Sequence, residues 1–225
     1  MKMCKLLLLI TVFSLGSLIG GPKEGIYVGL GGGAAFDYGK LTAVNVVNGF
    51  TEHRTLSTTH AVGNFLIGYG HTFKECFFVS LEGGTYFPSR SHAVERPGVL
   101  ITTSTFTNKL KIQDYVTVDI LPGFRLTKEL LLFFRGGFTV AGISLTQDKN
   151  AAAGVPAFKE SVTECGARVG VGANYGFFCN WSVGVDYFHT FYPKITAVLT
   201  GFSSTVSTKP NSDFIGISLQ YNFPL

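Results

Sequence analysis

Charge is scarce in this chain. Asp, Glu, Lys and Arg together make up 14% of its 225 residues, and the net charge of +4 is small for the length. Such a balance calls for no nucleic-acid partner. Long apolar runs are missing too: beyond the first twenty residues, no stretch reaches the roughly 20 residues of a membrane-spanning helix without polar interruption. No Pro/Ser-rich linker divides the sequence, so a single domain is expected. Past residue 20 the cysteines are Cys76, Cys165 and Cys179, at no metal-like spacing; their odd number leaves at least one thiol unpaired, and a Cys76–Cys179 bridge stays open. The run Gly29–Gly33 is followed by no Gly-Lys-Ser/Thr, which sets aside a phosphate loop.

What is present is apolar. Hydrophobic residues reach 46%, with 28 Gly and 21 Phe. In lipid every backbone amide needs a partner, and only helices and closed barrels supply one, so an apolar chain without spanning helices points to a barrel. At the start, Lys2 and Lys5 precede an uncharged apolar stretch from Leu6 to about Ile19 that breaks at Gly20, Gly21 and Pro22. This is the pattern of a secretory signal peptide, with cleavage after Gly16 or Gly20. Residues 1–20 are therefore expected to be signal and 21–225 the domain. Cys4 lies before the apolar stretch, which disfavours a lipid anchor.

The closing segment Ser212–Phe223 carries the clearest pattern. Apolar Ile215, Ile217, Leu219, Tyr221 and Phe223 alternate with Gly216, Ser218, Gln220 and Asn222, so one strand face is apolar and the other small or polar. The same alternation predicts about eight strands, near 25–36, 58–70, 76–87, 109–126, 130–145, 161–178, 181–192 and 212–223. Very short turns at 71–75, 127–129 and 179–180 alternate with long connections at 37–57, 88–108, 146–160 and 193–211. In an outer-membrane barrel, short turns face the periplasm and long loops face outward. Aromatics fall near the strand ends: Phe73, Phe77, Phe133, Phe134, Phe177, Trp181, Tyr221 and Phe223 toward the short turns, and Phe87, Tyr187, Phe191 and Tyr192 toward the loops.

The segments N-W-S-V-G-V-D-Y (180–187), F-R-L-T-K-E-L (124–130) and I-G-I-S-L-Q-Y-N-F (215–223), with the alternation of turns and loops, resemble the small bacterial outer-membrane β-barrel proteins that include the OmpA transmembrane domain, OmpX and the opacity-type adhesins. The likeness covers the whole of 21–225. One departure is Pro224 and Leu225 after Phe223, where family members end on the aromatic. The resemblance implies an all-β, antiparallel up-and-down transmembrane barrel in the Gram-negative outer membrane, surrounded by lipid and lipopolysaccharide.

Parity places Glu82, Asp119, Arg135 and Asp186 inward at one height, with Arg168 higher and Arg125 lower; Ser80, Asn64, Asn174 and Gln220 also point inward. Three acids and three arginines are expected to pair across a narrow, filled lumen, a structural network. No catalytic residue, metal ligand or cofactor emerges. His189 with Thr190 and Asp186 is the nearest approach to a hydrolase set, but Asp186 and His189 differ in parity. His53, and His92 with Ser91 and Glu95, read as solvated loop residues, as do Arg90, Arg96 and Lys109. The function expected is non-enzymatic, structural and surface-contacting, with adhesion to a host or cell-surface ligand through the long loops and a monomeric barrel. A narrow pore for ions or small solutes and a lipid-modifying enzyme stand as alternatives.

Overall fold

The computed structural model describes residues 21–45, 49, 51–74, 76–97, 105–147, 158–178, 180–199 and 204–223. Residues 1–20, expected to be a signal peptide, Cys179 and the apolar loop residues Val46, Val47, Ala151–Ala153 and Val155 lie outside them.

The described residues form ten strand segments: β1 (Gly25–Asn45), β2 (Thr51–Phe73), β3 (Phe77–Phe87), β4 (Arg90–Pro97), β5 (Thr105–Arg125), β6 (Leu130–Gln147), β7 (Phe158–Phe178), β8 (Trp181–Phe191), β9 (Ile195–Leu199) and β10 (Ser204–Phe223). They make eight staves, because β4 continues β3 and β9 continues β8. All pair antiparallel in chain order, and β1 closes on β10 from Ile26↔Phe223 to Asn45↔Ser204. Closure removes every edge where lipid would leave amides unpaired. The outward residues in this zone are apolar and exposed, including Leu30 (63%), Phe134 (62%) and Ile217 (61%). No helix among the described residues is long and apolar enough to cross a membrane.

The strands run well past the segments the alternation marked. Residues 37–45 and 51–57, expected as loop, continue β1 and β2, and 204–211 begin β10. Beyond the membrane the outward face meets water, so it turns polar and the lipid-facing signature fades while the pairing goes on. The inward face stays apolar at Leu41, Leu56 and Val206.

The extension also changes architecture. β2 pairs with β3 only as far as Gly63↔Phe87, and β7 with β8 only as far as Ala167↔Phe191. Above those points β4 pairs with β5, and β9 with β10. The barrel thus opens into two four-stranded sheets, β9-β10-β1-β2 and β4-β5-β6-β7. Between them lies an apolar core of Leu41, Leu56, Ile195 and Val206 from one side and Leu110, Ile112, Ile143 and Leu145 from the other. Pro88 and Pro193 stand at the two breaks, where a residue without an N–H donor interrupts the ladder.

Glycine is needed where the inner wall is tightest. A Cβ on Gly33 would run into the Ile215 carbonyl and the Gly216 backbone of the paired strand, neither of which can swing aside. Gly33→Val is expected to cost about 1–3 kcal/mol through overpacking. The check is the temperature at which the compact, fast-migrating gel band converts to the unfolded one, which should fall.

Candidate functional site: a layered lumen and its outer cover

Inside the barrel, side chains stack in layers. Nearest the periplasmic end, Phe78, Leu121, Leu131 and Phe133 form an apolar floor. Phe133 therefore faces inward; it does not belong to the rim belt, because in β6 it shares the inward parity of Leu131 and Arg135. On the opposite wall Asn174 Nδ2 donates to Gln220 Oε1 at 2.8 Å, and Gln220 Nε2 donates to Ser218 Oγ at 2.8 Å.

Above the floor sits the charged layer. Arg135 Nη1 lies 2.8 Å from Glu82 Oε1 and 2.6 Å from Asp119 Oδ2, and its Nη2 lies 2.9 Å from Asp186 Oδ1. Arg168 Nη1 reaches Asp119 Oδ2 at 3.2 Å, while its Nη2 donates to Tyr86 Oη at 2.9 Å. The structure thus brings Glu82, Asp119, Arg135, Arg168 and Asp186 together. Arg125 it places apart, at the periplasmic end, where Nη2 donates to Glu24 Oε2 at 3.1 Å and Nε to Thr72 Oγ1 at 3.1 Å. The third cation of the layer is Lys23, which folds in from ahead of β1 and pairs with Glu82. Position alone hid it: Lys23 belongs to no strand, so parity says nothing of it. With Lys23, three buried cations balance three buried carboxylates.

An aromatic layer follows. Phe188 stacks on Phe214, Tyr86 packs edge-on against both, and the Arg168 guanidinium lies 4.0 Å from the Phe188 ring centre.

At the outer end a second polar layer appears that the alternation did not reveal. Arg90 pairs through Nε with Asp37 Oδ2 at 3.0 Å and through Nη1 with Asp114 Oδ2 at 2.9 Å. Arg90 Nη2 also donates to Tyr192 Oη at 3.0 Å, and Tyr192 Oη donates to Asp114 Oδ1 at 2.7 Å. Arg90 and His92, read from sequence as solvated loop residues, are buried; Tyr192, assigned to the outer belt, is buried as well. The strand resumes after Pro88 as β4 and turns Arg90 and His92 into the interior. Asp114 comes inward because of a bulge in β5: the register shifts between Asp114 and Val116, so Tyr115 and Val116 both face outward and parity reverses. His60 of β2 meets His92 edge-on, with ring centres 5.0 Å apart.

His189 lies on the outer wall, where its Nδ1 sits 2.8 Å from Asp213 Oδ1; Tyr187 Oη donates to the same oxygen at 2.9 Å. Its neighbours Asp186 and Thr190 are buried in the lumen. The structure therefore does not bring His189, Thr190 and Asp186 into one set. His53 is exposed and lies 3.1 Å from Thr42 Oγ1. Cys76 and Cys165 are free, exposed thiols.

Comparisons with known proteins agree with this architecture. The family model described as outer membrane protein beta-barrel domain matches residues 6–223. Among solved structures, the outer membrane protein OprG of Pseudomonas aeruginosa aligns with a TM-score of 0.56 at 15% identity, covering 91% of this chain and 100% of its own. The outer membrane protease OmpT of Escherichia coli aligns at 0.55 and 9% identity, covering 90% and 98%. Ail, the attachment invasion locus protein of Yersinia pestis, aligns at 0.38 and 11% identity, covering 88% and 99%, in a complex with the heparin analogue sucrose octasulfate. For OprG and OmpT, at these identities, the likeness is one of fold. No curated protein matches the chain.

Proposed function

Because the chain belongs to the outer membrane protein β-barrel domain family and resides in the bacterial outer membrane, we propose that it is a non-enzymatic structural and surface-contact protein, meeting a host or cell-surface ligand as an adhesin does. The observation that carries this reading is the outer extension. From Tyr38 to Asn45, β1 continues for roughly 20 Å along the strand past the apolar belt. Its sheet and the facing one enclose their own hydrophobic core, so the extension is a firm platform for the loops it carries. Loops on a rigid scaffold are where binding residues concentrate.

The lumen supports structure over transport. Its charged layer is paired on both sides, and apolar or aromatic layers lie below and above it. His189 supports no hydrolase reading, since the hydroxyls of Thr190 and Ser212 are on the buried side of the wall. A monomer surrounded by lipid and lipopolysaccharide suffices for this role.

The test combines trimming with conductance. Replacing residues 41–55 by an Asn-Gly turn is expected to leave the heat-shifted band intact and to abolish attachment of expressing cells to the surface they bind. The intact barrel is expected to give no steady single-channel steps in planar bilayers. Stable conductance, or attachment indifferent to the trimming, would overturn the reading.

A further inference from the structure

We infer that Asp37, His60 and His92 form a binding site for one divalent transition-metal ion of the zinc–copper class, at the outer end of the lumen. The three come from different strands, β1, β2 and β4, and no sequence spacing announces them. One ligand atom from each falls within 4.8 Å of the others. In a tetrahedral shell with bonds of about 2 Å, donors stand about 3.3 Å apart. Side-chain adjustments of around an ångström would close the set on an ion.

Two independent observations indicate that the site is built for a ligand. The first is unmet bonding capacity. His92 is almost wholly buried, yet among the described residues its Nδ1 has no hydrogen-bond partner, and neither has the buried Nε2 of His60. His92 Nε2 lies 3.5 Å from Asp37 Oδ2, and that carboxylate, which also faces Arg90 and Ser212, receives no well-aligned hydrogen bond from a described residue. Buried polar atoms are rarely left so, and a metal ion would employ them.

The second is charge. In the deeper layer Lys23, Arg135 and Arg168 balance Glu82, Asp119 and Asp186. Among the described residues the outer layer has one guanidinium, Arg90, for two carboxylates, Asp37 and Asp114, so one buried negative charge awaits compensation beside two imidazoles. A divalent cation supplies that compensation. Arg90 does not forbid it, because Asp114 and Tyr192 would still hold the guanidinium if Asp37 turned toward an ion.

Donor type sets the class. Two imidazoles and one carboxylate suit zinc, copper or nickel, whereas calcium and magnesium favour all-oxygen shells. Three protein ligands leave a coordination position for water or an exogenous group. A cavity of about 10 Å³ beside the cluster, lined by Asp37, His92, Leu56, Leu110 and Ile112 among others, has room for about one water. The way in is the seam between β2 and β4, which do not pair, and His60, only partly buried, stands on β2 at that seam.

The test is a calorimetric titration of the tag-free, refolded barrel in detergent with ZnCl₂. One saturable equivalent is expected, together with a rise in unfolding temperature on metal addition. His60→Gln should weaken binding at least about tenfold and remove the thermal shift while leaving the heat-shifted band intact. His92→Gln should do the same, and His53→Gln, on the exposed face, should change nothing. No saturable binding to the parent, or binding that survives both His60→Gln and His92→Gln, would overturn the site.

Discussion

Arg135→Met is expected to destabilise the folded barrel by about 3–5 kcal/mol, the cost typical of stranding a buried charge. The guanidinium sits among Glu82, Asp119 and Asp186, all within 2.9 Å and all buried. Methionine would fill much of the volume and answer none of the charge. The three acids would not suffer equally. Glu82 keeps Lys23 and Asp119 keeps Arg168, whereas Asp186 has no second cation among the ion pairs described. The double change Arg135→Met with Asp186→Asn should therefore regain more stability than Arg135→Met with Asp119→Asn. The measurement is the urea midpoint of unfolding from lipid vesicles for the four proteins. Because the layer is shielded from solvent, the loss should change little between low and high salt. Equal recovery by the two double variants would show that the layer responds to total charge alone, contrary to the pairing described.

What could be read from sequence follows from what surrounds each strand. Between the periplasmic turns and Phe36, lipid outside and a crowded interior inside impose opposite demands on alternate residues. Glu82, Asp119, Arg135, Arg168 and Asp186 were accordingly legible from parity. Beyond Tyr38 water replaces lipid, both faces can carry Ser and Thr, and the strand loses its signature although the backbone pairing continues to Asn45. The outer layer was lost for two local reasons: Pro88 broke the stave before Arg90 and His92, and the bulge at Asp114 reversed the parity of upper β5. In the deeper layer Lys23 stayed hidden because it lies outside any strand. His60 belonged to a marked strand, but its partners Asp37 and His92 come from β1 and β4, a juxtaposition only the closed fold creates. Phe133 and Tyr192 erred the other way: an aromatic near a strand end fits an interfacial belt, and only its face decides whether it fills the lumen instead.

The outward face admits an equally direct test, which also locates the membrane. Ile217 of β10 is exposed, pairs with Val185, and lies two residues along the strand from Ile215 and Leu219, which are exposed too. If the apolar belt is in lipid, Ile217→Arg places a charge near the bilayer midplane and should cost about 2–4 kcal/mol; nearer the interfaces the same change costs about 0–1 kcal/mol. Phe73→Arg at the short-turn end and Tyr38→Arg at the outer end are the matching interface positions. Measured as urea midpoints in vesicles, the three costs should form a profile highest at Ile217 and low at both ends. A soluble barrel would instead gain from Ile217→Arg, since it removes exposed apolar surface. The sign of one substitution thus separates a lipid-facing wall from a water-facing one. The width of the profile fixes where β1 and β10 leave the membrane and the two-sheet extension begins.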